Sequence, residues 1–233
     1  MSSSYLTTSL VFFALWAIIF LTRKDLQKPL LVGGGMYIML VVPVTFALVF
    51  LSELGMGFSW NRITSYWAPH GTLFNLAEKT GMMGLEDIFF MFVAGGLAAT
   101  AYEAFSPHRI RNAEKRHHSF SLAVFFASYI ASGLFFSWHP LWNLIFASIL
   151  GWLTILIQRL DLFWASIAGA FAFLTIYVGG IAMYHMAFGE IAWNLKNLTA
   201  VAYPFPVKEL LYAFSLGLMW TPLYEYMTGK SIQ

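Results

Sequence analysis

Apolar runs of membrane-crossing length, separated by short polar punctuation, organise the whole chain. A helix needs about 20 predominantly apolar residues to cross a bilayer, and seven stretches meet or approach that length: 5–22, 29–52, 84–105, 119–136, 140–158, 162–186 and 205–227. Their ends carry charge or helix breakers: Arg23-Lys24-Asp25, Glu53, Pro107-His108-Arg109, Trp138-His139-Pro140 and Arg159-Leu160-Asp161. Helices are expected throughout, because in lipid each backbone polar group must pair within its own segment or a closed barrel. Residues 5–22 read as a full-length span, not a cleavable leader, since no basic residue precedes them.

Within these runs the chain repeats itself. Gly84–Glu103 and Pro206–Glu225 align without a gap, with Phe92/Phe214, Gly95/Gly217, Tyr102/Tyr224 and Glu103/Glu225 identical. Asp87/Glu209 keeps an acid and Phe90/Tyr212 an aromatic ring. Thr22-Arg23-Lys24-Asp25-Leu26 after the first span resembles Gln158-Arg159-Leu160-Asp161-Leu162 after the fifth, and Trp60-Asn61 matches Trp193-Asn194. Spans one to three therefore pair with spans five to seven, with span four as connector. Stepping four helices along preserves direction, so the repeats are parallel. The expectation is an all-α integral membrane protein in one domain, 1–233. It divides into repeat one (1–105), a connector (106–138) and repeat two (139–233).

Composition agrees. The 233 residues are 59% hydrophobic and 10% charged, against roughly 25% charged in soluble domains, too few to cover a water-facing surface. A net charge of +2 gives no argument for nucleic acid, and the basic residues serve as topology signals. Nine Lys/Arg fall on the side of the 23–28 and 106–118 loops and three on the other. The positive-inside rule then sets the N-terminus outside and the C-terminus in the cytoplasm. The loop 53–83, with Trp60, Tyr66 and Trp67, reads as an aromatic interfacial anchor or a lid over the outer mouth.

Candidate chemistry gathers at the starts of the two repeated helices. Glu86 and Asp87 open the third span. A carboxylate moved toward hydrocarbon is disfavoured as a charge and tends to hold its proton, and a neutral acid in an aromatic-lined site can protonate an alkene. Phe89 and Phe90 fall on the face of Glu86, where rings would stabilise a carbocation. The competing reading is that Glu86 and Asp87 only favour a helix N-terminus. In the second copy Lys208-Glu209 replaces Glu86-Asp87; Lys208 would pair with an acid or snorkel to the interface. Glu103 and Glu225, at helix ends that disfavour negative charge, need cations, with Arg109, Arg111 and Arg159 as candidates.

Other chemistries lack their residues. Cysteine is absent, and with it thiolate chemistry and disulfides. No Asp-rich pair offers a diphosphate–magnesium site. His117-His118 is a lone pair in a basic loop where a di-iron site wants several histidine boxes. Gly33-Gly34-Gly35 lies inside a span, where helix packing explains it better than nucleotide binding, and His185 reads as an ordinary interfacial histidine.

Leu85-Glu86-Asp87-Ile88-Phe89-Phe90, Pro206-Val207-Lys208-Glu209-Leu210-Leu211-Tyr212 and the two Tyr-Glu ends together resemble the membrane carotenoid cyclase domain. These are the small flavin-independent lycopene cyclases of bacteria and archaea and the cyclase half of fungal fusion enzymes. The resemblance implies an isomerase of the prokaryotic inner membrane that needs no cofactor. Its substrate is a carotenoid or similar polyisoprenoid, and it works alone or in a homo- or hetero-oligomer. Glu86, Asp87 and Glu209 would be the acids, and Phe89, Phe90, Tyr212, Trp60 and Trp193 the substrate-binding residues. Lys208, Glu103 and Glu225 would serve charge pairing. The sequence departs from the pattern at Gly84, where proline is expected, at Lys208, where an acid is expected, and at Ser52-Glu53, where the pattern has Trp-Asp. A non-catalytic binder of the same fold, a 3+1+3 transporter and a retinal protein remain as alternatives.

Overall fold

The computed structural model describes residues 4–54, 83–106, 110–111, 119–136, 138, 140–188, 201–202, 205–229 and 231–232. Among them the chain is almost wholly helical: α1 (Ser4–Thr22), α2 (Gln27–Glu53), α3 (Leu85–Phe105), α4 (Phe120–Phe135), α5 (Pro140–Gln158), α6 (Phe163–Phe188), α7 (Val207–Trp220) and the short α8 (Leu223–Thr228). Lys24–Leu26 and Leu160–Leu162 are 3-10 turns. Two-residue strands complete the elements. β1 (Ile110–Arg111) pairs antiparallel with β4 (Ser231–Ile232), and β2 (Val201–Ala202) with β3 (Phe205–Pro206).

Helix ends fall within about two residues of the apolar runs, as expected when burial in lipid and not local propensity defines an element. The last span is the exception. It is interrupted at Thr221–Pro222, because proline has no N–H for the helical ladder. The break is closed sideways, the Thr221 hydroxyl donating to the Ala98 carbonyl of α3 at 2.7 Å.

Four helical stretches are long and apolar enough to cross a membrane: Lys24–Leu51, Leu85–Phe105, Pro140–Gln158 and Leu160–Met186. Ser9–Thr22 and Phe120–Phe135 are shorter apolar helices. The distribution of side chains is inverted relative to a water-soluble fold. Leu21, Met39, Phe135, Ile157 and Trp164 are more than two-thirds exposed, while Glu86, Glu103, Glu209 and Glu225 are buried. Buried acids of this kind are rare in soluble folds unless they are paired. An all-α fold with four helices long and apolar enough to cross a bilayer, compatible with a membrane protein, is what this arrangement gives.

The helices α3 and α7 stand together at the centre. The α3 helix packs on α1, α2 and α6, and α7 packs on α5, α6 and α3. Small residues permit the close crossings. A Cβ added to Gly33 of α2 would stand 2.9 Å from the Gly95 carbonyl of α3. One on Gly217 of α7 would stand 2.6 Å from Ala170 Cα of α6. Gly33 also abuts Ala99, and Gly169 abuts Thr221, the residue that matches Ala99 in the aligned windows. In the Gly33–Gly35 run, only Gly35 faces open space.

Both 3-10 turns are built the same way. Arg23 Nε and Nη2 donate to the two carboxylate oxygens of Asp25 at 3.1 and 2.9 Å, and Arg159 does the same to Asp161 at 2.8 and 2.7 Å. The Arg23 and Arg159 N–H groups close the preceding helices on Ile19 and Ile155, and Leu26 and Leu162 donate back to the arginine carbonyls. The turns gather at one end of the bundle with the end of α3, where Arg23 Nη1 reaches the Glu103 carbonyl at 3.1 Å. The Tyr226 hydroxyl of α8 donates to Gln158 there at 2.8 Å. We call this the turn end; the starts of α3 and α7 form the opposite, acid end.

Candidate functional site: a buried acid with a tyrosine seam

At the acid end, Glu209 in the first turn of α7 is buried and accepts a 2.6 Å hydrogen bond from the Tyr177 hydroxyl of α6. Tyr177 is the hub of an aromatic box. Its ring lies 6.3 Å from Phe12, 6.4 Å from Phe90, 6.2 Å from Phe173 and 6.3 Å from Tyr212. Phe90 meets Phe12 edge-on at 5.3 Å. The repeat-matched Phe90 and Tyr212 therefore approach one tyrosine from α3 and α7, which brings the two motifs to a shared centre.

The seam continues through Tyr212, whose hydroxyl is hydrogen-bonded to that of Tyr37 on α2. The Tyr129 hydroxyl of α4 pairs with Thr45 at 3.0 Å and lies close enough to Tyr37 and Tyr212 to act on both electrostatically. Each of these tyrosines is buried. A tyrosine hydroxyl in hydrocarbon needs a partner, and here the partners are other helices. Tyr37, Tyr177, Tyr129 and Thr45 were not legible as site residues. Tyrosine in an apolar run reads as hydrophobic, and Tyr37 and Tyr212 are 175 positions apart. The available signal was that an intramembrane hydroxyl must find a partner.

The acids of α3 behave differently. Asp87, at the third helical position, accepts a 2.7 Å hydrogen bond from the Gly84 N–H, which satisfies a donor the helix start leaves open. Glu86 is buried one turn before Phe90. Phe89 packs at 5.3 Å on Phe13 of α1. Lys208 is half-buried beside Glu209. Trp60 and Trp193 lie outside the described residues, as do Arg109 and most of the 53–83 loop.

At the turn end, the cation for Glu103 is Arg23, and that for Glu225 is Arg159. Arg159 was among the expected partners and Arg23 was not. The hydrogen bond to the turn's own aspartate holds each guanidinium above its ordinary pKa, against an opposing effect of burial. Among the described residues no group of three or more His, Cys, Asp or Glu side chains could hold a metal ion.

Comparison with known proteins finds no matching family model, no matching curated sequence and no matching solved structure.

Proposed function

We propose that this chain is a seven-span membrane cyclase that isomerises a linear carotenoid or similar polyisoprenoid by acid-initiated ring closure. In this reading spans one to three and five to seven are parallel repeats. The N-terminus lies outside and the C-terminus in the cytoplasm. The matched Arg23 and Arg159 turns, and the matched crossings of Gly33 with Gly95 and Gly169 with Gly217, support the repeat. The pairing of β1 with β4 supports a shared side for the 106–118 loop and the C-terminus.

The observation that carries the chemistry is Glu209 on the Tyr177 hydroxyl inside a box of Phe12, Phe90, Phe173 and Tyr212. An acid there would add a proton to a terminal double bond. A neighbouring alkene would attack the resulting cation, forming the ring C–C bond. Loss of a ring proton would then restore a double bond, so product and substrate are isomers. The rings would hold the cation by their faces and exclude water that would quench it. Glu209 is the first candidate for donor. Glu86 stands as a second, and Asp87 is assigned to helix capping.

The test is pigment analysis of lycopene-accumulating cells with and without the chain. Ring-bearing products that depend on the chain are expected. Unchanged lycopene and other linear carotenoids, with the protein folded in the membrane, would leave a non-catalytic isoprenoid binder, a reading the lysine at position 208 favours. A transporter gains little from the break in the last span, since Thr221 seals it against Ala98.

A further inference from the structure

The first turn of α5 carries a polar side chain that the proposed reaction does not use. Asn143 is fully buried, and among the described residues neither its amide nitrogen nor its oxygen has a hydrogen-bond partner. It begins the buried stripe Asn143, Ala147, Gly151, on a helix whose neighbours are α4 and α7. An amide offers two donors and one acceptor, and leaving all of them unmet in a low-dielectric interior is strongly unfavourable.

The register of the helices tells what surrounds that amide. The Ser121 hydroxyl of α4 donates to the Gly151 carbonyl, and a Cβ on Gly151 would touch Met219 of α7. Asn143 lies eight residues from Gly151 toward the acid end. Tyr129 lies eight residues from Ser121 in the same direction, and Tyr212 seven from Met219. At about 1.5 Å per residue, all three stand at one depth, roughly 10–12 Å beyond the Gly151 level. Asn143 thus stands on α5 at the same depth in the bundle as the backbone positions of Tyr129 on α4 and Tyr212 on α7.

We propose that Asn143, with the tyrosine seam at its level, holds the oxygen of a lipophilic ligand, so that the site accepts a polyisoprenoid bearing a hydroxyl or keto group in preference to a pure hydrocarbon. A ligand hydroxyl would accept from the amide nitrogen and donate to the amide oxygen, and a keto group would use the nitrogen alone. Such a site discriminates by about the worth of one buried hydrogen bond, because a hydrocarbon leaves the amide unmet. The inference rests on the polyisoprenoid reading only for the nature of the chain and not on catalysis.

The test uses the full chain in detergent, with all-trans-geranylgeraniol and the C20 hydrocarbon lacking its hydroxyl as probes and calorimetric titration as readout. The alcohol is expected to bind about tenfold more tightly than the hydrocarbon, the size of a buried hydrogen bond. Asn143→Leu should abolish the preference while raising the ligand-free melting temperature, since it removes an unmet amide; Asn143→Ala serves if the leucine does not fit. Glu209→Gln, which ends cyclisation on the reading above, should keep the preference, so failure of the catalytic reading leaves this result intact. Equal binding of the two probes, binding of neither, or a preference that survives in the Asn143 variants overturns the assignment.

Discussion

The Arg23 turn and the Arg159 turn share the same internal hydrogen bonds, whereas the first turns of α3 and α7, at the other end of the bundle, use their acids for different purposes. At the turn end, each half places an arginine beside its own aspartate and beside a buried helix-end glutamate. At the acid end, Asp87 closes the start of its helix on Gly84, while Glu209 turns inward to Tyr177. Where α3 has Phe90, α7 has Tyr212, whose hydroxyl extends the polar seam to Tyr37. The lesson is physical. Unmet backbone groups at helix ends are costly in an apolar surround, and the two turns meet theirs with the same set of bonds. The aligned acids Asp87 and Glu209 thus meet different partners, a backbone N–H in one helix start and a tyrosine hydroxyl in the other.

Several variants would break or sharpen that contrast. The largest effect is expected at the helix crossings. Gly33→Leu or Gly217→Leu drives a side chain into the neighbouring backbone and should cost about 3 kcal/mol or more, read as loss of folded protein by size-exclusion in detergent. Gly35→Ala, which meets open space, should be neutral or stabilising by up to about 1 kcal/mol in the same assay.

Next comes Tyr177→Phe, which strips the hydroxyl from Glu209. A loss of about 1–3 kcal/mol is expected for removing one hydrogen bond to a buried acid, visible as a lower melting temperature and a reduced yield of cyclic product. The matched arginines follow. Arg23→Gln and Arg159→Gln should each cost about 1–2 kcal/mol, below the figure for a fully buried pair because both ion pairs are partly solvated. The two losses should be similar if the turns are equivalent, with the Arg159 variant the more damaging because its side chain is 18% exposed against 32% for Arg23. The smallest effect is that of Asp87→Ala, about 1 kcal/mol as for other helix caps, measured by thermal melting.

The helices were legible because lipid burial writes them as long apolar runs, and the two Arg-x-Asp turns because they recur in sequence. The break at Thr221–Pro222 was marked by proline, but a long apolar window runs across it. The hydrogen bond of Asp87 to the Gly84 N–H was foreshadowed by the capping alternative, which the residue's place in the first turn already raised. The seam was hidden for a different reason. Tyr37, Tyr129 and Tyr177 each sit alone in an apolar helix, and their meaning lies in partners on other helices that no local pattern encodes. The same holds for the pairing of Arg23 with Glu103, which joins residues 80 positions apart.

The most direct measurement compares Glu209→Gln with Asp87→Asn in lycopene-accumulating cells, with cyclic product determined by chromatography and folded protein by detergent melting. If Glu209 is the proton donor and Asp87 a helix cap, Glu209→Gln should lower product by about 10²–10⁴-fold, the usual contribution of a general acid. It should leave the melting temperature close to wild type, and Asp87→Asn should keep most of the activity. Full activity in Glu209→Gln, or loss of product in Asp87→Asn at unchanged stability, would contradict the account.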